Sequence, residues 1–313
     1  MSPFTSGIAF VFPGQGSQHP GMGKGLYDAL PIARRTFDEA TTAVGRDLVR
    51  LCFDSTDEEL RETQNAQIAL LTVGVAAARA LQDAGVRPGA AAGHSLGEYG
   101  ALTCAGVLDF ATACKLVQAR GEAMASARGG DAHKMAAVMG LMAERVAQIC
   151  GAAEGVVVVA NYNSPVQTII SGEAAAVDAA GLACKEAGAK RVMPLNVGGA
   201  FHSPLMAPAA VKMRAVLAVA TFADPAIPVI ANVTGRAIES GEEARRLLGE
   251  QITSSVRWVD SVRALWDLGV RTFVEVGPKK VLSGLIAQTI REAVTLNVED
   301  PESLRATIEK LEG

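Results

Sequence analysis

Ser95 stands in the pentapeptide Gly93-His94-Ser95-Leu96-Gly97, between small apolar residues at 89–93 and a segment with helical spacing at 96–104. G-x-S-x-G between a strand and a helix is typical of a nucleophile elbow, a tight turn that exposes the serine hydroxyl. The glycines let neighbouring backbone come close, and the helix N-terminus favours developing negative charge. The pattern therefore predicts a nucleophilic serine. A serine that only caps a helix entered through a glycine turn is the alternative.

The general base for this serine has to come from elsewhere in the chain. His94 precedes Ser95, and adjacent side chains of an extended segment point to opposite sides, so we expect His94 to be a packed, hydrogen-bonded residue. The other histidines are His19, His133 and His202. His202 is favoured because it lies in the glycine-rich loop "NVGGAFHSPLM", between a predicted strand and a predicted helix, where catalytic groups are often found.

A second glycine-rich loop, "VFPGQGSQHPGMGKGL" (11–26), follows the first predicted strand. Neither nucleotide-binding pattern fits it, since His19 stands where a dinucleotide loop needs glycine and Gly25 stands where a P-loop needs Ser or Thr. We therefore expect no phosphate binding here. Gln15, which is flanked by glycines, can instead present its backbone N–H to an oxyanion; a plain tight turn is the alternative.

Composition excludes several classes of protein. The 313 residues are 49% hydrophobic and 20% charged, with a net charge of −4 and no long basic run, so no broad nucleic-acid surface is expected. No apolar run reaches the length of a membrane span, and the first residues lack a signal peptide's basic region. Five scattered cysteines without a CxxC pair, and histidines without metal-ligand spacing, predict reduced thiols in a cytoplasm and no zinc site.

Short apolar segments alternate with helical patterns, which predicts an α/β fold with a mostly parallel sheet. Strands are predicted at 7–12, 89–93, 228–231, 272–277 and 293–297. Helices are predicted at 31–44, 64–83, 96–104, 109–127, 203–219, 241–252, 257–268, 279–290 and 301–312. Asp109 is expected to be the N-cap of the helix at 109–127.

The middle of the chain has a different order. After the linker-like "RGGDA", a strand at 133–141, a helix at 142–150, strands at 156–161 and 167–172 around the turn-like "YNSP", a helix at 173–188 and a strand at 190–195 are predicted. This β-α-β-β-α-β order is that of a ferredoxin-like unit. We therefore expect a small domain at 129–197, inserted into a large domain made of 1–128 and 198–313.

Taken together, the motifs resemble the malonyl-CoA:acyl carrier protein transacylase family. The matching segments occur in the family's order almost from end to end: "FPGQGSQ" (12–18), "AGHSLGEYGAL" (92–102), "QARGEAM" (118–124), "ANYNSPVQTIISG" (160–172), "AFHSPLM" (200–206), "NVTG" (232–235), "QITSSVRW" (251–258) and "FVEVGPKKVL" (273–282). The resemblance implies an α/β-hydrolase-like large domain with an inserted ferredoxin-like small domain.

The resemblance also implies a role for particular residues. Ser95 would carry the acyl group and His202 would be its base. The backbone N–H groups of Gln15 and Leu96 would form the oxyanion hole, and Arg120 would bind the free carboxylate of the malonyl group.

Further residues follow from the same resemblance. Gln251 would orient the histidine through a carbonyl group in place of an acidic residue. The substrate pocket is expected to include Phe201, Met124 and Asn163, with Phe201 typical of members that select malonyl over methylmalonyl groups. Ser255 departs from the family pattern, because many relatives have proline there.

The activity implied is a ping-pong transfer of malonyl from malonyl-CoA, through a malonyl-serine ester, to the phosphopantetheine thiol of acyl carrier protein. We expect no permanently bound cofactor and no nucleic-acid or membrane partner. We also expect the protein to be a cytoplasmic monomer. A serine thioesterase on the same scaffold is the enzymatic alternative, with Asp109 or Asp178 as a candidate acid. A carrier-docking protein without catalysis is the other alternative.

Overall fold

The computed structural model describes residues 7–312, so the first six residues and the last residue of the predicted large domain lie outside the described part. The strands, numbered in chain order, are β1 (Ile8–Phe12), β2 (Ala90–Gly93), β3 (His133–Met139), β4 (Val157–Ser164), β5 (Gln167–Glu173), β6 (Arg191–Pro194), β7 (Val229–Ile230), β8 (Thr272–Val276) and β9 (Val294–Val298).

The α-helices, also in chain order, are α1 (Lys24–Ala29), α2 (Pro31–Val44), α3 (Leu48–Phe53), α4 (Asp57–Arg61), α5 (Thr63–Asp83), α6 (Gly97–Cys104), α7 (Phe110–Ser126), α8 (Ala143–Ala152), α9 (Ala174–Glu186), α10 (Ala207–Ala218), α11 (Gly241–Gln251), α12 (Trp258–Asp267), α13 (Val281–Thr289) and α14 (Pro301–Glu312). Asp109 caps α7 as predicted, accepting a hydrogen bond from the Thr112 amide. Within residues 7–312, no helix is long and apolar enough to cross a membrane.

A parallel five-stranded sheet in the order β7-β2-β1-β8-β9 forms the centre of the molecule. Both faces of this sheet are covered by helices. Alternate residues of a strand point to opposite faces, so each strand contributes to the packing on both sides. Phe10 and Phe12 of β1 pack in the core that contains α2, α5 and α7, whereas Ala9 and Val11 pack against α12 and α13. Phe12 pairs with Gly93, so β1 and β2 end at the same edge of the sheet. The two glycine-rich loops therefore start side by side.

The second sheet is antiparallel and has the order β4-β5-β3-β6. In a β-α-β-β-α-β unit this places the first and third strands in the centre, as a ferredoxin-like arrangement requires. Helices α8 and α9 supply the apolar residues that cover the sheet. The mixed α/β fold, with a parallel core and a small antiparallel sheet, confirms the predicted fold class, while the exact limits 129–197 stay a prediction.

The structure differs from the predicted elements in two places. Helices α1, α3 and α4 were not predicted, because five or six residues are too few to show a helical period. The "YNSP" segment, predicted as a turn, belongs mostly to β4, which runs to Ser164 with irregular register after Val159. This extension places Asn161 and Asn163 on a strand.

The edge strand β4 is joined to the loop that follows α11. The Tyr162 amide donates to the Val256 carbonyl (2.9 Å), and the Val256 amide donates to the Ala160 carbonyl (2.8 Å). The Ser255 hydroxyl adds a bond to the Val159 carbonyl at 2.6 Å. A serine at this position therefore anchors the loop with a hydrogen bond that a proline could not make.

Candidate active site

Ser95 occupies the sharp turn between β2 and α6, with a φ of 52° that is uncommon for a residue with a side chain. The turn is possible because its flanking glycines carry no Cβ. A Cβ on Gly93 would lie 1.9 Å from the carbonyl group of Gly97, and one on Gly97 would lie 2.0 Å from the Phe12 oxygen. The local geometry is that of a nucleophile elbow, in which the serine stands directly before Leu96, the N-cap residue of α6.

Asn232, a fully buried residue just after β7, holds the backbone of this turn. Its Oδ1 accepts a hydrogen bond from the Ser95 amide (2.6 Å), and its Nδ2 donates to the Gly93 carbonyl (2.6 Å). Both polar groups of the side chain are thus used to bridge the two ends of the elbow. This fixes a backbone conformation that would otherwise be unfavourable.

His202 reaches Ser95 from the other half of the chain. The distance from Ser95 Oγ to His202 Nε2 is 2.7 Å. The other ring nitrogen, Nδ1, lies 2.9 Å from the Gln251 carbonyl and 3.1 Å from the Ser254 carbonyl. Because carbonyl oxygens only accept, we assign the proton to Nδ1, which leaves Nε2 free to accept the serine proton. His202 also has a positive φ, 57°.

Both candidate acids are used elsewhere. Asp109 caps α7, and Asp178 forms an ion pair with Lys134 at 2.5 Å. The imidazole is therefore oriented by backbone carbonyls of the Gln251–Ser254 segment. Burial lowers the pKa of His202 to about 3, with a further contribution from the charge of Arg120. At neutral pH the ring is neutral and can act as a base.

Arg120 lies on α7 with 1% of its surface exposed. Its Nη2 donates to Ser95 Oγ (3.1 Å) and to Gln251 Oε1 (2.9 Å), while Nη1 donates to Gln67 Oε1 (2.6 Å). The groups that accept from its Nη1 and Nη2 are all neutral, and within the described residues its Nε has no hydrogen-bond partner. A buried guanidinium held mainly by neutral groups is suited to bind an anionic substrate group.

Glu98 is the buried acid closest in sequence to Ser95, with 2% of its surface exposed. Its Oε2 accepts from Gln251 Nε2 (2.7 Å) and from the Asn232 amide (3.1 Å). Burial raises the pKa of Glu98 to about 7, against the opposing effects of these bonds and of Arg120.

The remaining predicted residues lie around this centre. Leu96 is the N-cap residue of α6 and is buried. Gln15 is partly buried, and its side-chain oxygen accepts a bond from Thr63 Oγ1 at 2.9 Å. Met124 contacts the Arg120 partner Gln67, with 3.4 Å between Sδ and Nε2.

Phe201 and Asn163 were also predicted to line the substrate pocket. Phe201 is 6% exposed and directly precedes His202. Asn163, on β4, places its Oδ1 at 2.8 Å from His94 Nε2. His94 also packs edge-on against Trp258, as a hydrogen-bonded, packed residue would. It does not contact the Ser95 hydroxyl in the way His202 does.

Sequence reasoning missed Gln67, Glu98 and Asn232. Glu98 and Asn232 lie inside the motifs "GHSLGEYGAL" and "NVTG", which were noted for other reasons. Their place in these motifs did not reveal a role, because the sequence does not show that either side chain is buried. Gln67 gave no signal either, because it lies in an apolar helix among alanines and leucines.

Comparison with known proteins agrees with this geometry. The family model described as "Acyl transferase domain" matches residues 9–307. The malonyl CoA-acyl carrier protein transacylase of Bacillus subtilis (strain 168) is 45% identical over 309 residues, which cover 98% of each chain. The enzyme of the same name from Escherichia coli (strain K12) is 44% identical over 305 residues, covering 96% of this chain and 99% of that protein.

Solved structures are similar over the same length. The malonyl CoA-acyl carrier protein transacylase from Coxiella burnetii superposes with a TM-score of 0.95 at 40% identity, covering 99% of both chains. A type II polyketide-synthase acyl-carrier protein in complex with its malonyl-transacylase gives a TM-score of 0.94 at 41% identity, covering 97% of this chain and 100% of that one. The chain therefore belongs to the acyl transferase family, together with the malonyl CoA-acyl carrier protein transacylases that it resembles over nearly its full length.

Proposed function

We propose that this protein transfers the malonyl group of malonyl-CoA to the phosphopantetheine thiol of acyl carrier protein, through a malonyl ester of Ser95. One observation carries the proposal: Ser95 Oγ lies 2.7 Å from His202 Nε2 and 3.1 Å from Arg120 Nη2. The hydroxyl thus has a base on one side and a buried cation on the other. Acyl transfer from a thioester whose acyl group ends in a carboxylate uses both.

In the first half-reaction, Ser95 Oγ attacks the thioester carbonyl and His202 Nε2 takes the serine proton. The oxyanion is stabilised by the backbone N–H groups of Gln15 and Leu96, the latter at the N-terminus of α6. The C–S bond then breaks, and the CoA sulfur leaves with the proton held by His202. The product is a malonyl-serine ester.

The substrate carboxylate binds to Arg120 and changes the site in doing so. The guanidinium is one cause of the low pKa of His202. A carboxylate paired with Arg120 offsets that positive charge, so the pKa of His202 rises when the malonyl group is bound. The base therefore becomes stronger in the presence of the correct acyl group, which favours malonyl over uncharged groups.

In the second half-reaction, the thiol of the carrier's phosphopantetheine gives its proton to His202 Nε2 and attacks the ester carbonyl. The same oxyanion hole stabilises the second tetrahedral intermediate. Its collapse breaks the bond to Ser95 Oγ, which recovers the proton from His202. The other ring proton stays on Nδ1 throughout, donated to the backbone carbonyls of Gln251 and Ser254.

The wider setting belongs to the same proposal. We expect a cytoplasmic monomer that needs no permanently bound cofactor or metal, with the small domain at 129–197 and the large domain at 1–128 and 198–313. Phe201, Met124 and Asn163 shape the acyl pocket. Support comes from the relatives, which are named for transfer between malonyl-CoA and acyl carrier protein, and from the solved complex of a malonyl-transacylase with a carrier.

Intact-mass measurement with malonyl-CoA tests this proposal. The protein is expected to gain one malonyl group, to lose it when holo acyl carrier protein is added, and to yield malonyl-carrier in equal amount. Ser95→Ala is the matched control and is expected to gain nothing. Release of free malonate in place of malonyl-carrier would establish the thioesterase alternative, and absence of any adduct would favour a non-catalytic docking role.

A further inference from the structure

Glu98 is a buried carboxylate that the reaction does not use directly. It lies in the first turn of α6, three residues after Ser95, and its Oε2 receives two hydrogen bonds. One comes from the side chain of Gln251 and the other from the backbone of Asn232. These two residues are 153 and 134 positions away in the sequence, so Glu98 joins three separate parts of the chain beneath the nucleophile.

The bond to Gln251 sets the direction of that side chain. Glu98 Oε2 already accepts from the Asn232 amide, which can only donate, so the Gln251 amide turns its NH₂ group toward this same acceptor oxygen. The same NH₂ group donates to the Ser95 carbonyl at 3.0 Å. The amide oxygen then faces Arg120, whose Nη2 can only donate, at 2.9 Å. If the Gln251 amide were reversed, its NH₂ group would face the guanidinium of Arg120 and its oxygen would face the acceptor oxygen of Glu98.

The bond to Asn232 acts on the nucleophile's own backbone. Glu98 fixes the Asn232 amide at 3.1 Å, and the Asn232 side chain bridges the Ser95 amide and the Gly93 carbonyl. Ser95 has a positive φ and depends on such contacts to keep it. Glu98 therefore supports the serine through Asn232 and the guanidinium through Gln251.

We propose that Glu98 is a positioning residue for acyl transfer, which holds Gln251 and Asn232 so that the Ser95 hydroxyl, His202 and Arg120 keep their relative geometry. The proposal rests on the function proposed above. Gln251 also provides the backbone carbonyl that accepts from His202 Nδ1. Through Gln251 and Asn232, the Oε2 atom of Glu98 is thus connected to Ser95, His202 and Arg120.

The two bonds end on the same oxygen, and this makes the proposal testable by substitution. In Glu98→Gln the amide oxygen can accept both bonds at unchanged length, although the charge is lost. In Glu98→Asp the charge remains, but the side chain is one methylene shorter and cannot reach both donors. Positioning by hydrogen bonds predicts that Gln is the better replacement, whereas compensation of the Arg120 charge predicts Asp.

Single-turnover acylation by malonyl-CoA, followed by rapid quench and intact mass, separates geometry from folding. The amplitude reports the folded fraction and the exponential rate constant reports the site. We expect about a 100-fold lower rate constant for Glu98→Asp and for Glu98→Ala, the loss typical of a misplacement near 1 Å, and a value within about tenfold of wild type for Glu98→Gln.

Glu275→Gln is the matched control, because Glu275 is a fully buried carboxylate that accepts bonds from the Leu282 and Ser283 amides and none from the site. Its amplitude or thermal midpoint is expected to fall while its rate constant stays unchanged. A Glu98→Asp rate constant equal to or above that of Glu98→Gln would overturn the proposal, as would losses of amplitude alone. Failure of the wild-type protein to form an adduct would instead remove the proposed function.

Discussion

The low pKa of His202 predicts that this residue destabilises the folded protein in mild acid. The folded ring titrates at about 3, against an ordinary value of 6.5 in the unfolded chain. Between these values the unfolded chain binds a proton that the folded state does not, so the free energy of unfolding falls as the pH falls. Lowering the pH from 7 to 5 should remove about 2 kcal/mol through this group alone.

This magnitude depends little on the exact folded pKa. At pH 5 the unfolded histidine is almost fully protonated and the folded one almost fully neutral. The loss of unfolding free energy is therefore set by the difference between pH 5 and the ordinary pKa of 6.5. Burial also lowers the pKa of His94, and the raised pKa of Glu98 acts in the opposite direction, since its protonation stabilises the folded state as the pH falls through 7. These groups are common to all variants compared, so a difference between variants isolates His202.

Urea unfolding at pH 7, 6 and 5, followed by circular dichroism, measures the effect. His202→Gln is expected to lose about 2 kcal/mol less than the wild type between pH 7 and pH 5. Ser95→Ala is the matched control, because it removes the nucleophile and leaves the imidazole beside Arg120; its pH dependence should follow the wild type. Parallel curves for His202→Gln and the wild type would show that the folded histidine is protonated at pH 5 and would refute the account of a neutral base.

Two further predictions concern the substrate cation and the elbow. Arg120→Ala should lower kcat/KM for malonyl transfer by about 10- to 100-fold, the loss of a charge-assisted contact, and raise the relative rate with acetyl-CoA; an unchanged acyl preference would disprove the carboxylate assignment. Gly97→Ala should cost about 3 kcal/mol of unfolding free energy, because its Cβ would meet the Phe12 carbonyl, whereas Gly151→Ala in α8, with no atom within 4 Å, should be neutral or stabilising. Equal midpoints for these two variants in urea would contradict the packing derived for the elbow.

The alternation of strands and helices could be predicted from the sequence because each major element is long enough to show its period. Helix α2 has the predicted bounds, and the strands of the parallel sheet differ from prediction by a residue or two at their ends. The short helices α1, α3 and α4 could not be predicted, since their helical form is decided by packing, of α1 against α2 and of α3 and α4 against α5, and by caps such as Thr56. Strand β4 was predicted too short because asparagine and serine favour turns in isolated sequence.

The candidate site could also be predicted only in part from the sequence. Glycine spacing marked Ser95, and loop context favoured His202, because these residues need unusual local backbone that leaves a sequence pattern. Arg120 on an ordinary helical segment became a site residue only through the family resemblance. The role of Glu98 was invisible, since an acidic residue in the first turn of a helix is expected to face solvent and interact with the helix dipole. Its partners come from distant segments that only the folded chain brings near.

The hydrogen bonds between β4 and the loop after α11 have a consequence for protein engineering. Ser254 accepts from the imidazole, and two residues later Val256 pairs with Ala160 and Tyr162 of the small sheet. The small sheet therefore cannot be exchanged without effect on the active site. A hybrid that takes this sheet from a homologue also replaces the strand that supports the loop bonded to the general base. Such a hybrid retains every catalytic side chain, yet its turnover depends on whether the grafted edge restores the same main-chain pairing.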